Sequence, residues 1–166
     1  MTFDLFSVTV GSPEQTARVA TVLSRHVTPG DVVLLTGDLA AGKTTFVKGV
    51  VAALGSADLV TSPTFTLAQF YATERGQVLH IDAYRLSDVP EFRDLGLDEY
   101  FDEAVVLIEW GEKLLAEFSD YLAVDLAVES DQRVITFSSV SPRWTSVLGD
   151  LRDAITEDIG GTHARD

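Results

Sequence analysis

The sequence predicts one compact α/β domain whose sheet mixes parallel and antiparallel strands and is flanked by helices. Three observations carry that expectation. A chain of 166 residues is long enough to bury a sizeable core as a single domain. The continuous apolar runs "VVLLT" (32–36) and "AVVLIEW" (104–110) have the character of strands covered on both faces, as in a parallel sheet. Other strand-like segments flank the polar turns "TERGQ" and "ESDQ", as antiparallel hairpins do.

Each element follows from its local pattern. "LFSVTV" (Leu5–Val10) alternates and is rich in β-formers, so it reads as a strand. Pro13 opens a helix to about Val27, with Ala17, Ala20, Val22, Leu23 and Val27 forming an apolar stripe. "PGD" turns the chain into the strand Val32–Thr36, and a helix "TTFVKGVVAALG" then stops at Gly55. "TLAQFYA" and "VLHIDAY" form the first hairpin, and a loop with a short helix covers Asp88–Tyr100. The strand Ala104–Trp110 precedes the second hairpin, "LAVDLAV" with "RVITFSS". A last helix starts near Pro142 and turns Trp144, Val147, Leu148, Leu151 and Ile155 to one face. The domain is expected over 1–155, with 156–166 a polar, flexible tail.

Composition narrows the function. The formal charge is −14, there are only three lysines (Lys43, Lys48, Lys113), and the arginines are scattered. Displacing counterions from a nucleic-acid backbone needs clustered Lys and Arg, so direct high-affinity nucleic-acid binding is not expected. The absence of cysteine excludes disulfides and thiolate metal sites and fits a reducing cytoplasm, the expected location. No apolar run approaches the roughly 20 residues that span a bilayer, and "MTFDLFSVTV" lacks the pattern of a secretory signal.

Gly37, Gly42, Lys43 and Thr44 satisfy G-x-x-x-x-G-K-[ST] between a buried strand and a helix start. The chemistry demands that spacing. Glycines let successive N–H groups turn inward, and the helix N-terminus adds partial positive charge for a phosphate. Lys43 can reach the β- and γ-phosphates, and the Thr44 hydroxyl can ligate Mg²⁺. The fold class sharpens to a P-loop NTPase with a mixed sheet. A metal held by one hydroxyl and phosphate oxygens wants a carboxylate at a neighbouring strand's end. Asp82, ending "VLHID", and Glu109, ending "VVLIE", both qualify. One would hold the metal while the other orients or deprotonates water, and the pattern does not say which. His80 shares a strand face with Asp82, but it reads as a core histidine or a support to the site rather than a ligand.

The destination of the phosphoryl group separates three readings. No asparagine occurs, so an N-K-x-D guanine-reading motif cannot exist. A small-molecule kinase would use Asp82 as a base toward an acceptor hydroxyl, but no Arg-rich lid segment is visible. Arg85 could stabilise charge or sit in a surface ion pair. A non-catalytic adaptor would use the nucleotide only to order "TSPTFTL" (61–67), a hydroxyl-rich loop stiffened by Pro63 that could sense a γ-phosphate. The third reading is an ATPase that transfers phosphate to water.

"GDLAAGKTTFVKGVVAALG", "VTSPTFTL", "HIDAYRL", "DLGLDEYF" and "VVLIEW", in this order and spacing, resemble the bacterial TsaE (YjeE) family from about Glu14 to Arg133. The resemblance implies a P-loop ATPase needed for threonylcarbamoyladenosine on tRNA. It also implies action on a TsaD–TsaB complex, with tRNA reached only through that complex and no membrane involved. It assigns Asp38, Leu39, Ala40, Ala41, Gly42, Lys43, Thr44 and Thr45 to the phosphates of ATP, and Thr44 with Glu109 to Mg²⁺. Asp82 would support metal or water, so Lys43, Asp82 and Glu109 form the implied catalytic set. Trp110 would pack against the nucleotide site, and Thr16, Glu112 and Arg133 fall near the nucleotide contacts of the family. One position departs: the family reads G-D-L-G-A-G-K-T, and this chain has Ala40 where the fourth residue is glycine. An ordinary backbone dihedral is expected there. The charge is consistent with acting on another protein that holds the tRNA.

Overall fold

The computed structural model describes residues 4–38, 40–61 and 67–159. Their elements, in order, are β1 (Asp4–Val10), α1 (Pro13–Ser24), β2 (Val32–Thr36), α2 (Lys43–Ala53), β3 (Ala68–Thr73), β4 (Gly76–Asp82), α3 (Val89–Asp94), β5 (Ala104–Glu109), β6 (Leu122–Glu129), β7 (Gln132–Ser139) and α4 (Pro142–Ile159). Two 3₁₀ segments, Leu97–Tyr100 and Gly111–Glu117, precede and follow β5.

The described residues build one seven-stranded sheet in the order β1-β7-β6-β2-β5-β4-β3. β2 pairs in parallel with both β5 and β6, and β5 pairs in parallel with β4. The β3–β4, β6–β7 and β1–β7 pairs are antiparallel. The mixed sheet is the one expected: the two hairpins supply two of the three antiparallel pairs, β1 adds the third on β7, and the all-apolar runs take the centre.

Alternation along the central strands divides the core in two. Val33 and Leu35 of β2, with Leu107 of β5 and Val124 of β6, face α1, α2 and α4. There they meet Phe46, Val50, Leu151 and Trp144. Val32 and Leu34, with Ile81 of β4 and Ile108 of β5, face the other way, onto Leu86, Phe92 and Leu114. Every residue of β5 is buried, which is why its sequence shows no alternation. Truncating a fully buried side chain such as Leu107 to alanine would cost about 2–5 kcal/mol.

Several boundaries differ from expectation. α1 ends at Ser24, three residues before Val27, because His26 N–H bonds back to Leu23 and Thr28 N–H turns onto the Asp31 carboxylate. Val27 is still buried, so its apolarity serves the core without extending the helix. In the first hairpin the pairing runs into the turn, to Thr73 and Gly76, leaving only residues 74–75 unpaired. Trp110 is not the last residue of a strand: it turns into the left-handed region (φ 60°) and starts a 3₁₀ segment that the sequence pattern did not announce. The last helix runs to Ile159, so Thr156–Ile159 are helical rather than part of a tail. Ile155 packs in the core, and Arg18 of α1 grips Asp158 through both its carboxylate (3.2 Å) and its carbonyl (2.9 Å).

Candidate functional site

The tips of β2, β4 and β5 deliver the site. Parallel register sets Leu35 beside Glu109 and Glu109 beside Asp82, so both acids leave the same sheet edge on the same face. That face is the one covered by α2, whose first residue is Lys43. Four polar side chains are consequently buried together: Lys43 at 5% exposure, His80 at 0%, Asp82 at 4% and Glu109 at 3%.

The loop from β2 to α2 is shaped by backbone constraints. Gly37 has φ 133°, and a Cβ there would collide with the Leu126 carbonyl oxygen of the neighbouring β6, so only glycine fits. Gly42 caps α2 with φ 107° and brings no side chain to the first turn of the helix. The N–H groups at that end have no side-chain cap, which suits an anion. Ala40 has φ 64°. The ordinary dihedral expected at Ala40 is therefore wrong: the loop needs a left-handed residue where this chain places alanine, a strain of order 1 kcal/mol.

Lys43 folds back over the loop. Its ammonium donates to the carbonyls of Gly37 (2.5 Å) and Asp38 (2.9 Å) and lies 3.9 Å from the centre of the Trp110 ring. Burial pushes its pKa below the ordinary 10.5, against the opposing pull of Glu109, Glu112, Asp38 and Asp82. The left-handed turn at Trp110 is what swings the indole across to Lys43, with Tyr84 against it at 4.9 Å. Trp110 thus packs on the lysine of the loop.

Glu109 is held on both oxygens. Thr44 Oγ1 donates to Oε1 at 2.9 Å, and His80 Nε2 donates to Oε2 at 2.5 Å. Asp82 accepts the Tyr84 N–H at 2.9 Å through Oδ1, and its own N–H donates to the Leu67 carbonyl. His80 is a buried support to the acid, as its strand position suggested.

A cleft of about 180 Å³ opens beside the loop. Ala40, Ala41, Gly42 and Thr45 form one wall. Ser12, Pro13 and Thr16 at the start of α1, and Asp131 and Arg133 of the β6–β7 hairpin, form the others. Thr16 and Arg133, separated by more than a hundred residues in sequence, therefore meet at the loop. Glu112 does not join them; it is exposed on the 3₁₀ segment near Lys43. Ser12, Pro13 and Asp131 were not singled out from sequence. The strand–Gly-Ser-Pro–helix junction was the available signal for the first two, and Asp131 had none. Arg85 is exposed. Leu39 and residues 62–66 of "TSPTFTL" lie outside the described residues.

The donors around Thr44 are hard oxygens, a hydroxyl and two nearby carboxylates, the chemistry a small divalent cation prefers. Among the described residues no three His, Cys, Asp or Glu side chains converge as a metal cage. A cation here would need oxygens from a ligand and water as well.

The chain as a whole is similar to known proteins. The family model described as "Threonylcarbamoyl adenosine biosynthesis protein TsaE" matches residues 10–135. The Bacillus subtilis tRNA threonylcarbamoyladenosine biosynthesis protein TsaE is 40% identical over 144 residues, which are 84% of this chain and 89% of that protein. Its Treponema pallidum counterpart is 43% identical over 122 residues, 72% of this chain and 90% of the relative. The crystal structure of Bacillus subtilis YdiB superposes with a TM-score of 0.80 at 32% identity, covering 92% of this chain and 97% of that one.

Proposed function

Since this chain belongs to the TsaE family, we propose that it is a Mg²⁺-dependent ATPase that serves threonylcarbamoyladenosine formation on tRNA by acting on a TsaD–TsaB complex. The observation that carries the reading is the 2.9 Å hydrogen bond from Thr44 to Glu109. It joins the hydroxyl of the phosphate loop to a strand-tip carboxylate beside the loop's lysine.

The residues divide the work. Main-chain N–H groups of Asp38 to Thr45 and the uncapped start of α2 receive the phosphates. Lys43 exchanges its carbonyl partners for phosphate oxygens, which favour the ammonium more strongly than neutral carbonyls do. Thr44 and Glu109 would hold Mg²⁺, which when bound would supply positive charge to offset that of the nucleotide's phosphates. Asp82, buried one strand away, orients the attacking water. Thr16 and Arg133 line the space next to the loop where the nucleoside fits, and Glu112 adds negative charge near Lys43. The net charge of −14 suits a chain that reaches tRNA only through its protein partner. No described helix is long and apolar enough to cross a membrane, and the proposed site of action is the cytoplasm.

ATP turnover and ADP affinity, measured with and without the TsaD–TsaB complex, test the reading. The wild-type chain is expected to hydrolyse ATP slowly alone and faster with the complex. Lys43→Ala abolishes turnover. Glu109→Ala and Asp82→Ala lower turnover by about a hundredfold or more while shifting ADP affinity far less. Normal turnover by Glu109→Ala in Mg²⁺ would refute its role, and phosphate appearing on a metabolite instead of free in solution would point to a kinase.

A further inference from the structure

Among the described residues, His80 is the one fully buried ionisable side chain for which the proposed chemistry has no use. Among the described residues its side chain makes one hydrogen bond, from Nε2 to Glu109 Oε2. Its Nδ1 is buried with no partner among the described residues. A carboxylate oxygen only accepts, so Nε2 carries a proton and donates it to Glu109. The ring is locked there by the sheet. His80 lies opposite Leu107 on β5 and Gln69 on β3, with Tyr71 packed at 6.1 Å.

The consequence falls on the geometry of Glu109. One oxygen, Oε2, is tied from the protein interior, and only Oε1 faces Thr44. Each carboxylate oxygen keeps a second lone pair. A two-oxygen grip on a cation would nonetheless require Glu109 to rotate and bend or break the hydrogen bond to His80, whereas Oε1 is presented without that cost. That distinction separates cations. Mg²⁺ demands a compact octahedron of single oxygens, whereas Ca²⁺ takes six to eight ligands and readily uses carboxylates in bidentate fashion. We infer that His80 is a positioning residue that restricts Glu109 to monodentate coordination and so selects small divalent cations over Ca²⁺ at the nucleotide site. The inference rests on the nucleotide–metal reading above but concerns which cation that site accepts.

The test uses the full chain with ADP bound. Mn²⁺ uptake is followed by electron paramagnetic resonance, and displacement by Mg²⁺ and by Ca²⁺ gives their relative affinities. His80→Leu removes the donor, and His80→Met does so with a more adaptable side chain in case the leucine variant does not fold. His80→Gln presents an amide N–H near the position of Nε2. In the donor-less variants Mg²⁺ affinity should fall about tenfold while Ca²⁺ affinity holds or rises, so the preference for Mg²⁺ narrows. His80→Gln should keep the wild-type preference. A folded donor-less variant with the wild-type Mg²⁺ to Ca²⁺ ratio would overturn the inference, as would His80→Gln behaving like leucine. No Mn²⁺ uptake by the ADP-bound wild type would sink the metal reading itself, an outcome distinct from uptake with an unchanged ratio.

Discussion

The Lys43 ammonium sits over the face of Trp110, 3.9 Å from the ring centre, and its three hydrogens find two carbonyl partners among the described residues, Gly37 and Asp38. The indole replaces part of the hydration that burial removes from the ammonium. Trp110→Ala should therefore destabilise the fold by about 1–2 kcal/mol, and Trp110→Phe by less, because an aromatic face remains. Urea unfolding followed by far-ultraviolet circular dichroism measures both. An alanine variant as stable as wild type would show that the stacking carries no energy.

Lys43 also makes stability depend on pH, with a definite sign. Burial lowers its folded-state pKa below the ordinary 10.5, and Glu109, Glu112, Asp38 and Asp82 only partly oppose that. Below the lowered value both states hold the proton, and the desolvation cost is present in full. As pH rises through that value toward 10.5, the folded chain releases its proton first, so stability increases. Urea unfolding across that window should show wild type gaining stability relative to Lys43→Met. Adding ADP should move the pKa upward, visible in the carbon NMR signal of the lysine, because phosphate favours the ammonium.

Ala40 tests the strain in the loop. At φ 64° a glycine would relieve a steric cost, offset by its larger entropy in the unfolded chain. Ala40→Gly is expected to stabilise the protein by up to about 1 kcal/mol and to tighten ADP binding. Ala40→Val should do the reverse, since a β-branched residue suits the left-handed region worst. Calorimetric titration with ADP reads both, and identical affinities across the three residues would remove the strain from the account.

A fourth prediction lies away from the site. Arg143 of α4 reaches Asp31 at 2.8 and 3.2 Å and the His26 carbonyl at 2.9 Å, while Asp31 also accepts the Thr28 N–H at 2.8 Å. The hydrogen bond to Asp31 is the chief reason the Arg143 pKa is raised. Asp31→Ala should lower stability by about 2–3 kcal/mol and leave ADP affinity unchanged. Loss of ADP affinity would mean that the start of β2 communicates with its tip.

Most of the architecture was legible because it rests on local patterns. The runs around Val33 and Ile108 announced buried strands, Pro13 and Pro142 announced helix starts, and the glycine spacing announced the loop. Two of the misreadings share a cause. Val27 is apolar for the core and not for a helix, and Trp110 leaves its strand in a left-handed turn that sets its ring against Lys43. In both cases a contact distant in sequence outweighed the local pattern.

The sequence by itself determined the glycine-rich loop between β2 and α2, the two strand-tip acids and the family, since motif spacing and periodicity are properties of contiguous segments. Only the tertiary structure decided how the acids differ. Glu109 meets Thr44 across 65 residues and His80 across 29, and Thr16 meets Arg133 across one cleft. These meetings follow from which strands pair and in what register, and cooperative packing of the whole sheet sets that register.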